Sequence, residues 1–396
     1  MILGASILQL PAIKKAKELG FQVIAVDMDK DAVGFQEADI CLEISTLDIP
    51  KVVEAAKHYE IDSILTLASD MPIRTIAAVS KELNLVGLDE RTALNVTNKA
   101  KMRKCLEMKN VPIPKYFKAV NYLEFSKAIE KIEGKIIVKP ADNSGSRGVF
   151  LIEDKSDLQN INYAFEHSKK YSRNGEIVIE EYMIGPEVSV ETLSINGVVY
   201  VIAITDKLTT GAPHFVEMGH SQPSLLSDDI KKQIELVTAE AVNSLGILNG
   251  PAHTEIIVTK TGPKIVEIGA RLGGDNITTQ LVPLSTGIDM IKSCIEITMG
   301  ETPDINPKLS MGSAVRYIES KKGKINSIAG IDKVKRMEGI KQVHFMKKTG
   351  DSIGEISSSV DRVGFIISQA NNAQNAIELC ENASHSIKIC VQDEES

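Results

Sequence analysis

The chain of 396 residues contains no tryptophan, and aromatic residues make up only 4% of it. A surface that stacks nucleic-acid bases needs aromatic side chains, so this composition argues against such a function. The formal net charge of −8 points the same way, because duplex nucleic acids and membrane surfaces attract basic proteins. We therefore expect neither a nucleic acid nor a membrane as a partner.

Long hydrophobic runs and an export signal are also missing. No apolar stretch reaches the roughly 18–20 residues that cross a bilayer, and the N-terminus lacks the basic, apolar and small-residue order of a secretory signal. The five cysteines are scattered without metal-binding spacing: Cys41, Cys105, Cys294, Cys380 and Cys390. Free thiols are typical of a reducing compartment, so we expect a cytoplasmic protein.

One stretch carries the strongest chemical signal. Ile136 to Pro140 is an apolar, β-branched run that predicts a buried strand and places Lys139 near its end. A polar loop and a second apolar run follow, and the loop contains Ser144, Gly145, Ser146 and Gly148. Such a loop lets backbone N–H groups approach a polyphosphate, and the lysine adds a point charge. It is not a Walker A loop, because no Gly-Lys-Ser/Thr ends it. The alternative is a polar hairpin with a solvated lysine.

Two glutamates are spaced as metal ligands would be. Glu255 opens the apolar run of one predicted strand, Glu267 closes that of the next, and a tight turn joins the two strands. Two carboxylates at one mouth of a sheet, completed by phosphate oxygens and water, are what Mg²⁺ uses in nucleotide sites. A pair of solvated cross-strand acids is the alternative. Arg271 follows between small residues, where a guanidinium suits a γ-phosphate or a substrate carboxylate.

A weaker nucleotide signal lies between these stretches. The sequence from Glu180 to Glu187 predicts a strand, a short turn and another acid. Exposed backbone after a strand can hydrogen-bond the edge of an adenine, and Glu187 could accept hydrogen bonds from ribose hydroxyls. Glutamates at strand ends are more often simply solvated.

The order of elements predicts several domains, as the length requires. Strands and helices alternate over the first ninety residues, which indicates a parallel sheet with crossover helices. Gly4 and Asp27 do not make a dinucleotide fingerprint, since its other glycines are absent. Helical patterns are expected at about 50–59 and at 91–109, and a strand at 63–67. Strands then dominate, which indicates an α+β region, and Pro303 and Pro307 mark a linker.

Taken together, these motifs resemble the ATP-grasp superfamily, and specifically its carboxylate–amine ligases of biotin-carboxylase-like architecture. The resemblance covers nearly the whole chain. It implies an α/β and α+β protein with three domains: a Rossmann-like pre-ATP-grasp domain over 1–93, an ATP-grasp domain over 94–307 with a lid subdomain at about 115–185, and an α+β C-terminal domain over 308–396.

The resemblance also implies roles for individual residues. Lys99 and Lys139 match the two nucleotide lysines, and the loop from Asp142 to Gly148 matches the phosphate loop. The segment that holds adenine corresponds to Glu180, Glu181, Tyr182 and Met183, and Glu187 falls at the ribose. Glu255 and Glu267 match the metal carboxylates that bind Mg²⁺, or Mn²⁺ in its place, and Arg271 matches the arginine that steadies the acyl phosphate. A homodimer is also implied.

The chain departs from the superfamily at one position and resembles bacterial L-amino-acid (dipeptide) ligases at another. Gly269 stands where the usual sequence has an asparagine as a third metal ligand, so water or another residue must take that place. The sequence from Lys207 to His220 resembles the substrate loop of the dipeptide ligases, which makes Glu217 and His220 candidates for amino-group recognition or proton transfer. Glu-x-x-His alone suggests a helical metal half-site. A glycine and a nearby proline disfavour a helix here, so we expect a loop that lines the substrate pocket.

These expectations converge on an ATP-dependent ligase. It would activate a substrate carboxylate as an acyl phosphate and join it to an amine, with release of ADP and phosphate, and the amine that we expect is an amino acid. The alternatives are a bicarbonate-using enzyme of the purine-pathway or carbamoyl-phosphate type, and a nucleotide-binding module without turnover. Bicarbonate needs no amino-acid pocket, and a module would bind ATP without producing ADP.

Overall fold

The N-terminal region is a three-stranded parallel sheet covered by helices. The computed structural model describes residues 1–392. The elements are β1 (Ile2–Leu3), α1 (Leu10–Glu18), β2 (Ile24–Asp27), β3 (Ile40–Glu43), α2 (Ile49–His58), α3 (Ile73–Leu83) and α4 (Glu90–Val96). The predicted alternation is confirmed, but the strand expected at 63–67 is reduced to one bridge between Ile2 and Leu65. Because β1 has only two residues, it offers little length for a longer ladder.

The helix predicted over 91–109 is two helices. α4 ends at Val96, and α5 (Lys99–Glu107) begins after Asn98, whose backbone is extended and whose side chain accepts a hydrogen bond from the Lys101 amide. This N-cap fixes the start of α5, since it satisfies one of the amides that a first helical turn leaves free. Lys99 is thereby the first residue of α5, and its side chain is buried.

The predicted lid is a separate antiparallel layer. Its elements are β4 (Tyr116–Ala119), α6 (Tyr122–Lys131), β5 (Ile136–Pro140), β6 (Phe150–Ile152), α7 (Leu158–Tyr171) and β7 (Ile177–Glu181). The strand order is β4-β7-β5-β6, and Val138 of β5 pairs with Phe150 of β6. The two helices pack their apolar faces on this sheet around Phe125 and Phe165, so the lid has a hydrophobic core of its own.

An eight-stranded sheet forms the body of the molecule. Its strands are β8 (Glu187–Ile195), β9 (Val198–Thr209), β10 (Glu217–Gln222), β11 (Gly250–Thr259), β12 (Gly262–Gly269), β13 (Gly312–Tyr317), β15 (Ile340–Phe345) and β17 (Gly364–Ala370), in the order β12-β11-β8-β9-β10-β13-β17-β15. α8 (Asp228–Leu245), a π-helical turn (Ile277–Leu281), α9 (Val282–Thr286) and α10 (Met290–Thr298) complete this region. The sheet continues across the predicted boundary at 307/308, because β10 pairs with β13.

The rest of the C-terminal region is a smaller α+β layer. It contains β14 (Gly323–Ala329), α11 (Ile331–Lys335), β16 (Ser352–Ile353), α12 (Ala373–His385) and β18 (Lys388–Gln392), with the three strands in the order β16-β14-β18. The last four residues of the predicted domain, 393–396, lie outside the described residues. In the part of the chain from 1 to 392, no helix is both long and apolar enough to cross a bilayer.

The lid and the eight-stranded sheet face each other, and this arrangement positions the site. A hydrophobic core joins the N-terminal helices to the sheet, with Val52 and Ala77 on one side and Val190 and Ile256 on the other. The N-terminal region and the sheet therefore share one core, whereas the lid packs around a different one. A layer with its own core can move as a unit relative to the rest.

Candidate active site

A cavity of about 480 Å³ lies between the lid and the eight-stranded sheet. It collects most of the residues that the sequence singled out. Those in its lining are Lys99, Lys139, Ser144, Gly145, Ser146, Glu180, Glu181, Tyr182, Met183, Glu187, Glu217, Glu255 and Glu267. Three predicted residues lie outside the lining: Gly148, His220 and Arg271.

The glycine- and serine-rich loop covers one side of this cavity. Ser146 and Gly148 both have left-handed backbone, with φ of +55° and +78°. A Cβ at Gly148 would stand 2.7 Å from the Cβ of Tyr171 and 2.8 Å from the ring of Pro140, so glycine lets the loop pack against the lid. Gly148 lines a neighbouring cavity of about 350 Å³ rather than the main one.

Lys139 reaches the cavity from β5 and is held by a buried carboxylate. Its Nζ lies 2.7 Å from Glu180 Oε2, and Arg103 Nε donates to Glu180 Oε1 at 2.6 Å. Burial would raise the pKa of Glu180, but the two cations outweigh it and lower that pKa to about 2. Burial, with Arg103 and Lys99 nearby, lowers the pKa of Lys139 although Glu180 opposes this shift.

Glu180 therefore orients Lys139. Its carboxylate oxygens are engaged by the two cations, so the prediction of an adenine contact rests on the backbone at Tyr182 and Met183. Both residues line the cavity, as Gly185 does. A Cβ at Gly185 would overlap the carbonyl oxygen of Val258 at 1.9 Å, so the turn after β7 can approach β11 only with glycine at this position.

The two predicted metal carboxylates are direct cross-strand partners. Glu255 on β11 pairs with Glu267 on β12, as the tight turn between the strands predicts. Lys99 Nζ lies 2.7 Å from Glu267 Oε1 and donates to the carbonyl oxygen of Asn143 at 2.6 Å. One ammonium thus ties the Glu267 carboxylate to the glycine- and serine-rich loop.

A second buried lysine serves the other carboxylate. Lys207 Nζ, from β9, lies 2.6 Å from Glu187 Oε1, 3.3 Å from Glu255 Oε1 and 3.6 Å from Glu217 Oε1. Burial would lower the pKa of Lys207, but Glu255 and Glu187 raise it above its usual range. Burial raises the pKa of Glu187, whereas for Glu255 burial is outweighed by Lys207 and the pKa is well below its usual range.

Behind Glu255 lies a buried histidine–carboxylate pair. His253 Nδ1 is 2.5 Å from Glu191 Oε1, and its Nε2 is 3.8 Å from Glu255 Oε1. Burial would lower the pKa of His253, but Glu191 outweighs it and raises that pKa to about 9. The imidazolium therefore places positive charge on the inner side of Glu255.

Glu255 and Glu267 are the carboxylates that a divalent cation shared with a polyphosphate would use. Lys99 lies against Glu267, and Lys207 lies against Glu255. Each of these carboxylates therefore already stabilises a positive charge. Within residues 1–392, no three His, Cys, Asp or Glu side chains are grouped so that they could hold a metal by themselves. A hard cation here would need phosphate oxygens or water to complete its coordination.

Arg271 lies beside this cavity and is bound to the N-terminal region. Its Nε and Nη2 donate to the two carboxylate oxygens of Asp70, at 3.1 and 3.2 Å. Burial opposes the shift, but Asp70 raises the pKa of the guanidinium above its usual range. Asp70 lines an adjoining cavity of about 240 Å³, which shares Lys99 and Glu267 with the main one.

Gly269 makes the contact between Asp70 and Arg271 possible. A Cβ at this position would lie 2.5 Å from Asp70 Oδ1 and 3.2 Å from Arg271 Nε. The carboxylate of Asp70 therefore occupies the space into which a side chain at 269 would project. Asp70 thus fills the space at 269, and both of its carboxylate oxygens are bound to Arg271.

The prediction of a loop around Glu217 and His220 is wrong. Both residues lie on β10, which pairs with β9 on one side and β13 on the other. The sequence Glu-Met-Gly-His-Ser-Gln lacks the apolar alternation of a strand, so its pairing with both β9 and β13 is what makes it one. Glu217 lines the main cavity, but the His220 side chain is 2% exposed and lies outside it, with Nε2 3.5 Å from Asp275 Oδ2.

Sequence reasoning missed four charged residues around the cavity: Arg103, Lys207, Glu191 and His253. One signal was available for His253, because residues i and i+2 of a strand share a face and His253 stands two positions before Glu255. The others depend on contacts between distant segments. Arg103 and Glu180 are 77 residues apart, and no local sequence pattern predicts an ion pair between them.

Comparisons with known proteins agree with this geometry. Residues 132–280 match the model of an ATP-grasp domain, and residues 316–392 match that of L-amino acid ligase C-terminal domain 2. The chain therefore contains an ATP-grasp domain over residues 132–280. The predicted α/β and α+β fold class is confirmed with it.

Two curated relatives and one solved structure illustrate the similarity. The chain is 28% identical over 309 residues to the uncharacterized protein y4rH of Sinorhizobium fredii, with 78% of this chain and 63% of that protein covered. It is 25% identical over 325 residues to the L-arginine-specific L-amino acid ligase of Bacillus subtilis, with 80% and 78% covered. The chain thus spans about three fifths of the first relative's length.

The crystal structure of an L-amino acid ligase from Bacillus licheniformis superposes with a TM-score of 0.85. The identity is 24%, and the match covers 99% of this chain and 98% of that one. At this identity the similarity concerns the fold. It extends over all the elements that build the cavity, including the C-terminal strands of the eight-stranded sheet.

Proposed function

We propose that this ATP-grasp protein is an ATP-dependent carboxylate–amine ligase that acts on amino acids. In the first step a substrate carboxylate attacks the γ-phosphorus of ATP, which forms an acyl phosphate and releases ADP. In the second step an amine attacks the acyl carbon, which forms an amide and releases phosphate. The amine is most simply a second amino acid, so that the product is a dipeptide.

The observation that carries this proposal is the convergence of Lys99, Lys139, Glu255 and Glu267 on one cavity. Phosphoryl transfer needs positive charge around the transferred group and exclusion of water from the acyl phosphate. Lys139 and Lys99 supply the charge, and the loop that contains Ser144 and Gly145 covers the cavity from the lid side. Glu255 and Glu267 would hold Mg²⁺, or Mn²⁺ in its place, which would neutralise charge on the phosphate oxygens.

The adjoining cavity supports an amino acid as the carboxylate substrate. Arg74 and Arg173 line this cavity together with Lys99, Glu267 and Asp70, so it offers charges of both signs to the ammonium and carboxylate of a zwitterion. Glu217 lines the main cavity and offers a further carboxylate to an amino group. Bicarbonate has no ammonium group, so these carboxylates would have no group to bind on it.

A phosphate-release screen with Mg-ATP tests the proposal. The twenty proteinogenic amino acids are supplied singly and in pairs, and bicarbonate is supplied with ammonia and small amines. We expect ADP and phosphate release with particular amino acids and a dipeptide by mass spectrometry. Bicarbonate-dependent release without amino acids would refute the amino-acid assignment. ATP binding without release across the whole panel would refute turnover.

Two further expectations belong with this function. The resemblance to carboxylate–amine ligases supports a homodimer, which light scattering of the purified chain will test. It also supports a cytoplasmic enzyme, because the free thiols and the demand for ATP suit that compartment. Fractionation of cells that express the chain checks the second point.

A further inference from the structure

A buried ion pair joins the C-terminal region to the loop that follows Arg271. Arg362 lies just before β17, and its side chain is 7% exposed. Its Nη1 donates to Asp275 Oδ2 at 2.8 Å and its Nη2 donates to Asp275 Oδ1 at 2.9 Å. This bidentate geometry fixes both the distance and the orientation of the two groups. Burial of Asp275 is outweighed by its partners, so its pKa lies far below the usual range.

The same guanidinium holds two further elements. Its Nη1 also donates to the backbone carbonyl oxygen of Glu217 at 3.1 Å, and its Cζ lies 3.7 Å from the centre of the Tyr317 ring. An arginine stacked on an aromatic face and bonded at both ends has little freedom to reorient. Arg362 therefore connects β10, β13 and the loop from Arg271 to Asn276.

That loop needs an external support. Asp275 and Asn276 both have left-handed backbone, with φ of +50° and +64°, which costs free energy for residues other than glycine. Gly273 donates from its backbone N–H to Glu191 Oε2, and the loop ends in the π-helical turn. The bidentate contact at Asp275 is what ties the middle of the loop to another element.

We infer that Arg362 is a positioning residue, which sets the separation between the Arg271 loop and the β10 strand that carries Glu217. The inference rests on the proposed function, because those two elements present the groups that would face the amino acids. Ser357, Ser358 and Ser359 line the cavity next to Glu217, so the segment before Arg362 also closes one side of the site. The C-terminal region would thus contribute to substrate binding without touching the nucleotide.

Replacing both Arg362 and Asp275 by neutral residues separates an effect on the position of the loop from an effect on the stability of the fold. R362M alone leaves the half-buried Asp275 carboxylate with only His220 Nε2, at 3.5 Å, beside it, and should unfold at a lower temperature. R362M/D275N removes both charges, and asparagine tolerates the left-handed backbone at 275. R336M is the matched control, because Arg336 lies in the same region with an exposed side chain.

We expect R362M/D275N to recover most of the lost unfolding temperature but not the binding of the amino acid. Its KM for the amino acid found in the screen should stay raised about tenfold or more, while its KM for ATP stays near that of the wild type. Backbone amides over 272–281 should exchange hydrogen faster in the double variant than in the wild type. R336M should match the wild type in all these measurements.

Two results would overturn the inference. If R362M/D275N recovers both stability and the wild-type KM for the amino acid, the pair is only structural. If hydrogen exchange over 272–281 is unchanged in the double variant, the loop does not depend on Arg362. The exchange measurement needs no substrate, so it decides the inference even if the wild-type chain releases no ADP with any amino acid, which would refute the proposed function alone.

Discussion

Replacing Glu180 by glutamine should destabilise the protein in a way that depends on pH. Glu180 is buried and accepts hydrogen bonds from Arg103 and Lys139, at 2.6 and 2.7 Å. The glutamine side chain has nearly the same shape but no charge, so two buried cations lose their counter-charge. Breaking one partner of a buried ionic group is costly, because the remaining charge stays desolvated.

The pKa of Glu180 sets the size of the effect. Its value of about 2 lies below the usual 4.5, so the charged carboxylate stabilises the folded state above pH 4.5 and loses this effect as the pH falls through 2. A shift of this size corresponds to about 3 kcal/mol at pH 7. At pH 3 the same linkage leaves about half of that free energy, because Glu180 is then protonated in the unfolded chain.

Denaturation by guanidinium at pH 7 and pH 3 measures this difference. Far-UV circular dichroism is the suitable signal, since the chain has no tryptophan. E82Q is the matched control, because Glu82 forms a surface ion pair with Lys57 and its loss should change little. If E180Q is as stable as the wild type at pH 7, or if the difference is the same at both pH values, Glu180 does not hold Lys139 as described.

Three other changes test the site directly. K139M should lower the rate of ADP release about 100-fold while the far-UV circular dichroism stays unchanged. A wild-type rate would exclude a catalytic role for Lys139. Chelation of divalent ions should abolish ADP release and added Mg²⁺ or Mn²⁺ should restore it, whereas activity in excess chelator would contradict the metal assignment. G273A should lower the free energy of unfolding by about 3 kcal/mol in guanidinium denaturation, because the new Cβ would stand 2.6 Å from Glu191 Oε1 and 2.7 Å from His253 Nδ1. An unchanged midpoint would show that the Glu191–His253 pair can move aside with little loss of stability.

Local signals in the sequence predict the parts of the site that lie on single strands. Lys139 ends an apolar run, and the turn between β11 and β12 predicts that Glu255 and Glu267 meet. These predictions need only the two-residue period of a strand and one tight turn, both of which are encoded within a few residues. The fold class follows from the order of such elements along the chain.

The ion pairs that tie the site together could not be predicted in the same way. Arg271 and Asp70 are 201 residues apart, and Arg362 and Asp275 are 87 apart. A charged residue taken from the sequence alone is expected to be solvated. These pairs form only when the packing of the domains brings the two residues together. The prediction for β10 was wrong for a related reason, since one of its two hydrogen-bonding partners, β13, comes almost a hundred residues later.

The space left by the missing side chain at Gly269 is filled by a residue that is distant in the sequence. Without a side chain there, the end of β12 leaves a space beside Arg271, and Asp70 reaches into it from the N-terminal region. An asparagine at 269 could not share that space with Asp70, because its Cβ alone would approach the Asp70 carboxylate to 2.5 Å. The two arrangements are therefore mutually exclusive, and glycine at 269 allows a link between the N-terminal region and the guanidinium of Arg271. In this chain Arg271 is thus supported by the N-terminal region.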